Sequence, residues 1–119
     1  MAVRRVAVIF DSVQRPETTG AYCLRALSNL LEVEQFQPAE LDRIPRAGFD
    51  LYLNIDDGLR YFLPPDLRPS AWWAIDTHLD FEWCKSKSHG FDVVFAAQRD
   101  GAEELSRAGI SSEIGRAHV

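Results

Sequence analysis

Five short segments, spaced along the chain, restrict the folds that are open to it. Four are almost entirely apolar (RRVAVIF, FDLYLNI, SAWWAID and FDVVFAA), and the fifth, EVEQFQP, alternates between polar and apolar residues. Segments of this length that are rich in β-branched and aromatic residues are typical of strands. Strands that are apolar on both sides occur in parallel sheets with helices on both faces. The sequence therefore predicts an α/β fold, a single three-layer domain around a mostly parallel sheet of about five strands.

The stretches between these segments carry helix signals. Leu24, Leu27 and Leu31 recur at helical spacing, and Thr18 or Thr19 is placed to cap that helix. The segment AELDRIP allows at most two helical turns. Two further helices are predicted, from Asp80 to Gly90 and from about Asp100 to Ala108, where Gly109 supplies the stop signal.

Composition excludes several classes of protein. A chain of 119 residues forms one domain of ordinary size. Its net charge is −5, and no cluster of lysine and arginine indicates a nucleic-acid partner. The lysines of CKSKSHG are interpreted as a solvated helix face. No apolar run reaches the roughly 20 residues of a membrane span.

Two further features indicate a cytoplasmic protein. The N-terminal apolar run ends at Asp11 and is too short for a signal peptide. Cys23 and Cys84 show no CxxC spacing, so reduced, packed thiols are expected.

Polar residues collect where the predicted strands end. In open α/β sheets, ligands bind beyond the C-terminal ends of the strands. The candidate substrate-binding residues are Asp11, Thr19, Gly20, Asp56, Gly58 and Gln98. Gly20 would let backbone N–H groups of the first helical turn approach an anion, and Gly58 would let a ligand approach closely. The alternative is that these residues only cap helices and form turns.

Three residues are candidates for acid–base chemistry. His78 is the candidate base, because imidazole titrates nearest to neutral pH, and Asp76 or Asp57 would orient its ring. The alternative is that Asp76 caps local backbone and His78 is solvated. The segment DTHLD offers only one histidine, and Asp80 is better placed as a helix cap, so no metal site is predicted. Trp72 and Trp73 are adjacent and, in a strand, point to opposite faces as core residues.

Four phrases together resemble a known family: VIFDSVQRPETTGAYCLRAL, DLYLNIDDGLRY, RPSAWWAIDTHLDFEWC and FDVVFAAQRDGAEELSRAGI. They are similar to the N-terminal half of bacterial glycosyltransferases with two Rossmann-like domains (the GT-B type), in the spore-maturation CgeB-like group. The resemblance runs from about Val6 to Ile110.

The resemblance implies that residues 1–112 are the Rossmann-like, acceptor-side domain of a truncated enzyme. A further strand and a second Rossmann-like domain, which carries most contacts to a nucleotide-sugar donor, would follow. The chain alone would hold no cofactor and transfer no sugar, and its acceptor is unknown.

The last seven residues, EIGRAHV, back-translate to codons that resemble the start of a common sequencing adapter. Residues 113–119 are therefore expected to be a non-native tail that packs against little.

A second function remains open. The alternative is a receiver-like or other small-molecule- or phosphate-binding α/β module. A receiver has acids after its first and third strands, where this chain has Asp11 and Asp56 or Asp57. Such a receiver needs a lysine after its fifth strand, and Gln98–Arg99 stands there instead.

Overall fold

The computed structural model describes residues 3–14, 19–75, 80–96 and 112–114. In this part of the chain, six parallel strands form one sheet in the order β2-β1-β3-β4-β5-β6. The strands are β1 (Arg5–Ile9), β2 (Glu32–Phe36), β3 (Leu51–Ile55), β4 (Ser70–Ala74), β5 (Val93–Ala96) and β6 (Ser112–Ile114). The predicted α/β class and the five predicted strands are confirmed, and the domain is Rossmann-like.

The sixth strand corrects one expectation about the end of the chain. Glu113 and Ile114 pair in register with Phe95 and Ala96 at the edge of the sheet. The prediction that residues 113–119 pack against little is therefore wrong for these two residues, whose backbone groups join the sheet. Residues 115–119 lie outside the described part of the chain.

Helical segments cover both faces of the sheet. They are α1 (Thr19–Ser28), a 3₁₀ helix (Pro38–Arg43) and α2 (Phe81–Ser88). Asp80 caps α2 as predicted, since its side chain accepts a hydrogen bond from the backbone N–H of Trp83 at 3.1 Å. The predicted helix at 100–108 lies outside the described residues. No helix among the described residues is long and apolar enough to cross a bilayer.

The core is divided by the sheet into two layers. On one face α1 packs on Val6, Val8 and Phe10. On the other face the segment 56–69 and the 3₁₀ helix pack on residues that include Ile9 and Tyr52, while α2 packs on Trp72. Trp72 and Trp73 point to opposite faces as predicted, and Trp72 is fully buried.

Gly20 allows α1 to approach the sheet closely. A Cβ atom at this position would lie 2.5 Å from the ring of Phe10, which is itself buried. Packing therefore requires a glycine here. Cys23 and Cys84 are free thiols, one half-buried and one buried, as expected.

Candidate functional site

The chain leaves β1 and β3 on opposite faces of the sheet. After β1 it passes to α1 on one face, and after β3 the segment 56–69 covers the other face. Neighbouring parallel strands whose connections diverge in this way leave a crevice at their C-terminal ends, where open α/β sheets bind ligands. We call the region bordered by residues 11–14 and 56–61 the β1–β3 crevice.

Asp57 joins the two sides of the β1–β3 crevice. Its Oδ2 accepts hydrogen bonds from the backbone N–H of Asp11 and from the Tyr61 hydroxyl, each at 2.8 Å. Its Oδ1 accepts a third from the backbone N–H of Leu59 at 3.1 Å. The residue is buried, so these three donors fix the carboxylate in place. Asp57 therefore holds the end of β1 against the loop after β3.

Asp11 and Asp56 shape the ends of their strands in the same way. Each carboxylate accepts hydrogen bonds from two backbone N–H groups: Asp11 from Val13 and Gln14, both at 3.2 Å, and Asp56 from Gly58 and Ile75, both at 3.1 Å. The bond to Ile75 ties the end of β3 to the end of β4. These contacts agree with the alternative that the aspartates form turns.

Two glutamines at the end of β2 hold Ser12. The Oε1 of Gln37 accepts a hydrogen bond from the Ser12 N–H at 3.1 Å, and the Nε2 of Gln37 donates to the Ser12 Oγ at 2.6 Å. The Nε2 of Gln35 donates to the same Oγ at 3.2 Å and to the carbonyl of Phe10 at 3.0 Å. The loop after β1 is thus fixed by uncharged amides.

Most of the described backbone N–H groups around the crevice are engaged by side chains of the protein itself. Seven such groups donate to carboxylate or amide oxygens, those of residues 11, 12, 13, 14, 58, 59 and 75. Free N–H groups at a strand end are what usually bind phosphate. These described groups offer a phosphate no free donor, and the three carboxylates repel it. The surface is suited to hydroxyl or amine groups, which donate to oxygen lone pairs.

Asn54 and Tyr61 form a polar pair beneath Asp57. The Nδ2 of Asn54 donates to the Tyr61 hydroxyl oxygen and to the carbonyl of Ile9, each at 2.8 Å. Burial, and after it the charge of Asp57, raises the pKa of Tyr61 well above its ordinary value. The hydroxyl therefore stays protonated and donates to Asp57 throughout the ordinary pH range.

Lys87 lies under this pair, although it belongs to α2. Its Nζ is 3.9 Å from the centroid of the Tyr61 ring, 5.2 Å from that of Trp72 and 6.0 Å from that of Trp83. Lys87 is 2% exposed. Burial lowers its pKa to about 8, while the carboxylates of Asp57 and Asp56 oppose that change. A buried ammonium surrounded by aromatic rings thus lies next to the crevice.

The rim beside α2 carries an ion pair and two aromatic rings. Arg60 pairs with Asp80 and lies over the Trp83 ring, 5.1 Å from its centroid. The Arg60 guanidinium, and after it the Trp83 N–H, holds the pKa of Asp80 below its ordinary value. Phe62 is exposed and packs on Trp83 at 5.1 Å between ring centroids. The charge of Arg60 at this rim is thus already neutralised by Asp80.

The structure brings together three of the predicted site residues, Asp11, Asp56 and Asp57. Thr19 and Gly20 lie at the start of α1, and Gly20 is buried against Phe10 rather than open to a ligand. Gly58 has a φ of 78°, so turn geometry explains a glycine there. The predicted residues Asp76, His78 and Gln98 lie outside the described residues.

Two residues of this region, Tyr61 and Lys87, were not predicted from the sequence to lie here. The interpretation of the two lysines of α2 as a solvated face is wrong for Lys87, whereas Lys85 is partly exposed and pairs with Glu82. The signal was present: Lys87 follows Trp83 by four residues and Cys84 by three, which places it on the same helix face. Cys84 is buried on that face, and burial raises the pKa of its thiol to about 11.

The described residues contain no group of three or more His, Cys, Asp or Glu side chains that would hold a metal ion. No protein-family model matches the chain, and neither a curated protein nor a solved structure matches it significantly.

Proposed function

We propose that this chain is the acceptor-side domain of a glycosyltransferase, which transfers a sugar from a nucleotide-sugar donor to a hydroxyl-bearing acceptor. Three features support the proposal: the sequence resemblance, the Rossmann-like fold, and a polar crevice where such folds bind ligands. The finer assignment to the CgeB-like group rests on the resemblance alone.

The occupied N–H groups of the β1–β3 crevice are the observation that carries the proposal. Asp11, Asp56 and Asp57 accept six of these seven donors and Gln37 accepts the seventh, so the crevice offers oxygen lone pairs and negative charge. An acceptor hydroxyl donates to such a surface, whereas a nucleotide diphosphate needs donors and positive charge. This chemistry favours the acceptor over the donor as the ligand of the crevice.

In the proposed reaction, His78 removes the proton from the acceptor hydroxyl as the hydroxyl attacks the donor sugar, and the bond from sugar to diphosphate breaks. Asp76 orients the imidazole. Asp57 is held by three hydrogen bonds, so we assign it to positioning rather than to proton transfer. A second Rossmann-like domain holds the departing diphosphate, and the 119-residue chain alone is inactive.

The test is to measure sugar transfer by the 119-residue chain and by the same chain extended with the remainder of its uninterrupted gene. Both would receive a panel of nucleotide sugars and a pool of acceptors from the source cells. We expect transfer only from the extended protein, and we expect His78→Ala to abolish most of it. Transfer by the short chain, or full activity of the extended His78→Ala variant, would contradict the proposal.

A second candidate is a receiver-like module, and the strand order favours it. The order β2-β1-β3-β4-β5 also occurs in flavodoxin-like and receiver proteins, which bind at the β1/β3 switch. Against it, each crevice aspartate already accepts backbone hydrogen bonds. Incubation with acetyl phosphate, followed by intact mass measurement, decides this: one added phosphoryl group lost in Asp57→Asn or Asp56→Asn would establish the second candidate.

A further inference from the structure

Lys87 is a buried charge that the packing of the fold does not explain. Among the described residues its Nζ has neither a hydrogen bond nor an ion pair, and the centroids of three aromatic rings lie within 6.0 Å of it. An ammonium group in such surroundings has lost its hydration without gaining an acceptor. Two polar atoms of the neighbouring strands, Asn54 Oδ1 and Trp72 Nε1, are also buried without a partner among the described residues. Buried polar groups that lack partners mark places where stability is given up.

A short chain of contacts leads from Lys87 to the β1–β3 crevice. The ammonium lies 3.9 Å from the Tyr61 ring centroid, which is a close cation–π contact. The Tyr61 hydroxyl donates to Asp57 Oδ2 at 2.8 Å, and the same oxygen accepts the N–H of Asp11 at 2.8 Å. Three contacts thus connect α2 to the end of β1.

We propose that Lys87 is a positioning residue, whose ammonium holds the Tyr61 ring so that Tyr61 keeps Asp57 in place across the crevice. This inference rests on the proposed role of the crevice as the ligand site. Lys87 itself touches no ligand. It acts through Tyr61, and its effect depends on its positive charge, because the cation–π attraction requires the protonated amine.

The charge state gives the proposal a distinctive pH dependence. Four titratable groups face Lys87: Asp56 and Asp57 after β3, Tyr61 in the same segment, and Cys84 on its own helix. Burial lowers the pKa of Lys87 to about 8 and raises that of Cys84 to about 11. Burial also raises the pKa of Tyr61, to a value above that of Cys84. We therefore expect the cation–π attraction to Tyr61 to weaken as Lys87 loses its proton around pH 8.

The test is carbon NMR of the labelled 119-residue chain between about pH 6 and pH 10. The ring carbon of Tyr61 that bears the hydroxyl and the carboxylate carbon of Asp57 are followed, together with the Cε of Lys87. We expect all three to share one transition with a midpoint near 8. Because the Lys87 charge also acts directly on Asp57, Tyr61→Phe is measured as well: it keeps the ring and removes the hydroxyl, so the proposed route requires that the Asp57 transition be lost in this variant, whereas its persistence would show a direct charge effect and overturn the proposal.

Three variants make the assignment specific. Lys87→Met keeps the packing and should remove the transition at Tyr61 and Asp57. Lys87→Arg keeps the positive charge between pH 6 and pH 10. This variant should also remove the transition, because arginine does not deprotonate in that range. Lys85→Met, on the exposed side of α2, should leave it unchanged. A wild-type chain without the transition, or a Lys87→Met chain that retains it, would overturn the proposal.

This experiment separates the two proposals, because it needs neither donor nor acceptor. Sugar transfer by the extended protein without the shared transition would reject the role of Lys87 and leave the proposed function standing. The shared transition without any sugar transfer would reject the proposed function and leave the link from Lys87 to Asp57 standing.

Discussion

Replacing Lys87 with methionine should make the protein more stable at neutral pH. Burial lowers the pKa of Lys87 to about 8 from its ordinary 10.5. A pKa difference of one corresponds to about 1.4 kcal/mol, so keeping this lysine charged in the fold costs about 3 kcal/mol at pH 7. Methionine has a similar length and no charge. We expect Lys87→Met to raise the free energy of unfolding at pH 7 by about 1–3 kcal/mol, as hydrophobic replacements of buried charges often do.

The size of the effect changes with pH in a way that identifies its cause. Between about pH 8 and pH 10.5 the folded chain has lost the Lys87 proton, whereas the unfolded chain still holds it. The unfolded state then binds more protons, so wild-type stability rises with pH through this window. The advantage of Lys87→Met should therefore shrink as the pH approaches 10.5.

Urea denaturation at pH 7 and at about pH 10 measures both effects. Lys85→Met is the matched control, because Lys85 is partly exposed on the same helix, and it should change stability by less than about 0.5 kcal/mol. A Lys87→Met chain that is less stable than wild type at pH 7, or an advantage that does not vary with pH, would refute this reasoning.

Three further predictions concern the sheet and the crevice. Gly20→Ala should reduce the free energy of unfolding by about 1–3 kcal/mol, since its Cβ would overlap the buried Phe10 ring. The control is Ser28→Ala at the exposed end of α1, which should have little effect in the same denaturation assay. Asp57→Asn should lower stability by about 1–3 kcal/mol, because an NH₂ donor replaces one carboxylate oxygen and at least one of the three donors to Asp57 loses its acceptor. The exposed Asp42→Asn is the control, and equal stability of the Asp57→Asn and wild-type chains would contradict the role of Asp57 in holding the two strand ends together. In the extended protein, His78→Ala should reduce turnover by about 10²–10⁴-fold with an unchanged melting temperature, and wild-type turnover would show that another group is the base.

The sheet could be predicted from sequence because its strands are apolar on both sides. Segments such as RVAVI and SAWWA have no polar face to present to water, so only a covered parallel sheet accommodates them. The last strand could not be predicted in this way. Ser112–Ile114 is an edge strand of three residues. Its apolar pattern is too short to distinguish a strand from a loop.

The sequence predicts that the ends of β1 and β3 are neighbours, but not what their carboxylates bind. Asp11 follows β1, and Asp56 and Asp57 follow β3. Parallel strands bring their C-terminal ends to one edge of the sheet, so these residues are expected to be neighbours. Whether those carboxylates face a ligand or bind nearby N–H groups depends on loop conformation, which sequence patterns do not determine. Here they bind the N–H groups.

The positions of Tyr61 and Lys87 could not be predicted from the sequence for a different reason. Tyr61 lies in a proline-rich segment without periodicity, and a lysine is expected in water. Only the packing of the segment 56–69 and α2 on the same face of the sheet brings the ring and the ammonium together.

The choice between acceptor and phosphate as the ligand of the β1–β3 crevice is tested most directly by an NMR titration of the 119-residue chain. Pyrophosphate, which represents the donor diphosphate, is added while the backbone amide signals of residues 11–14, 58, 59 and 75 are followed. These N–H groups already donate to side chains of the protein. We expect these signals to stay in place up to millimolar pyrophosphate. Saturable shifts at these amides would contradict this expectation, because they would show that the crevice is a phosphate site.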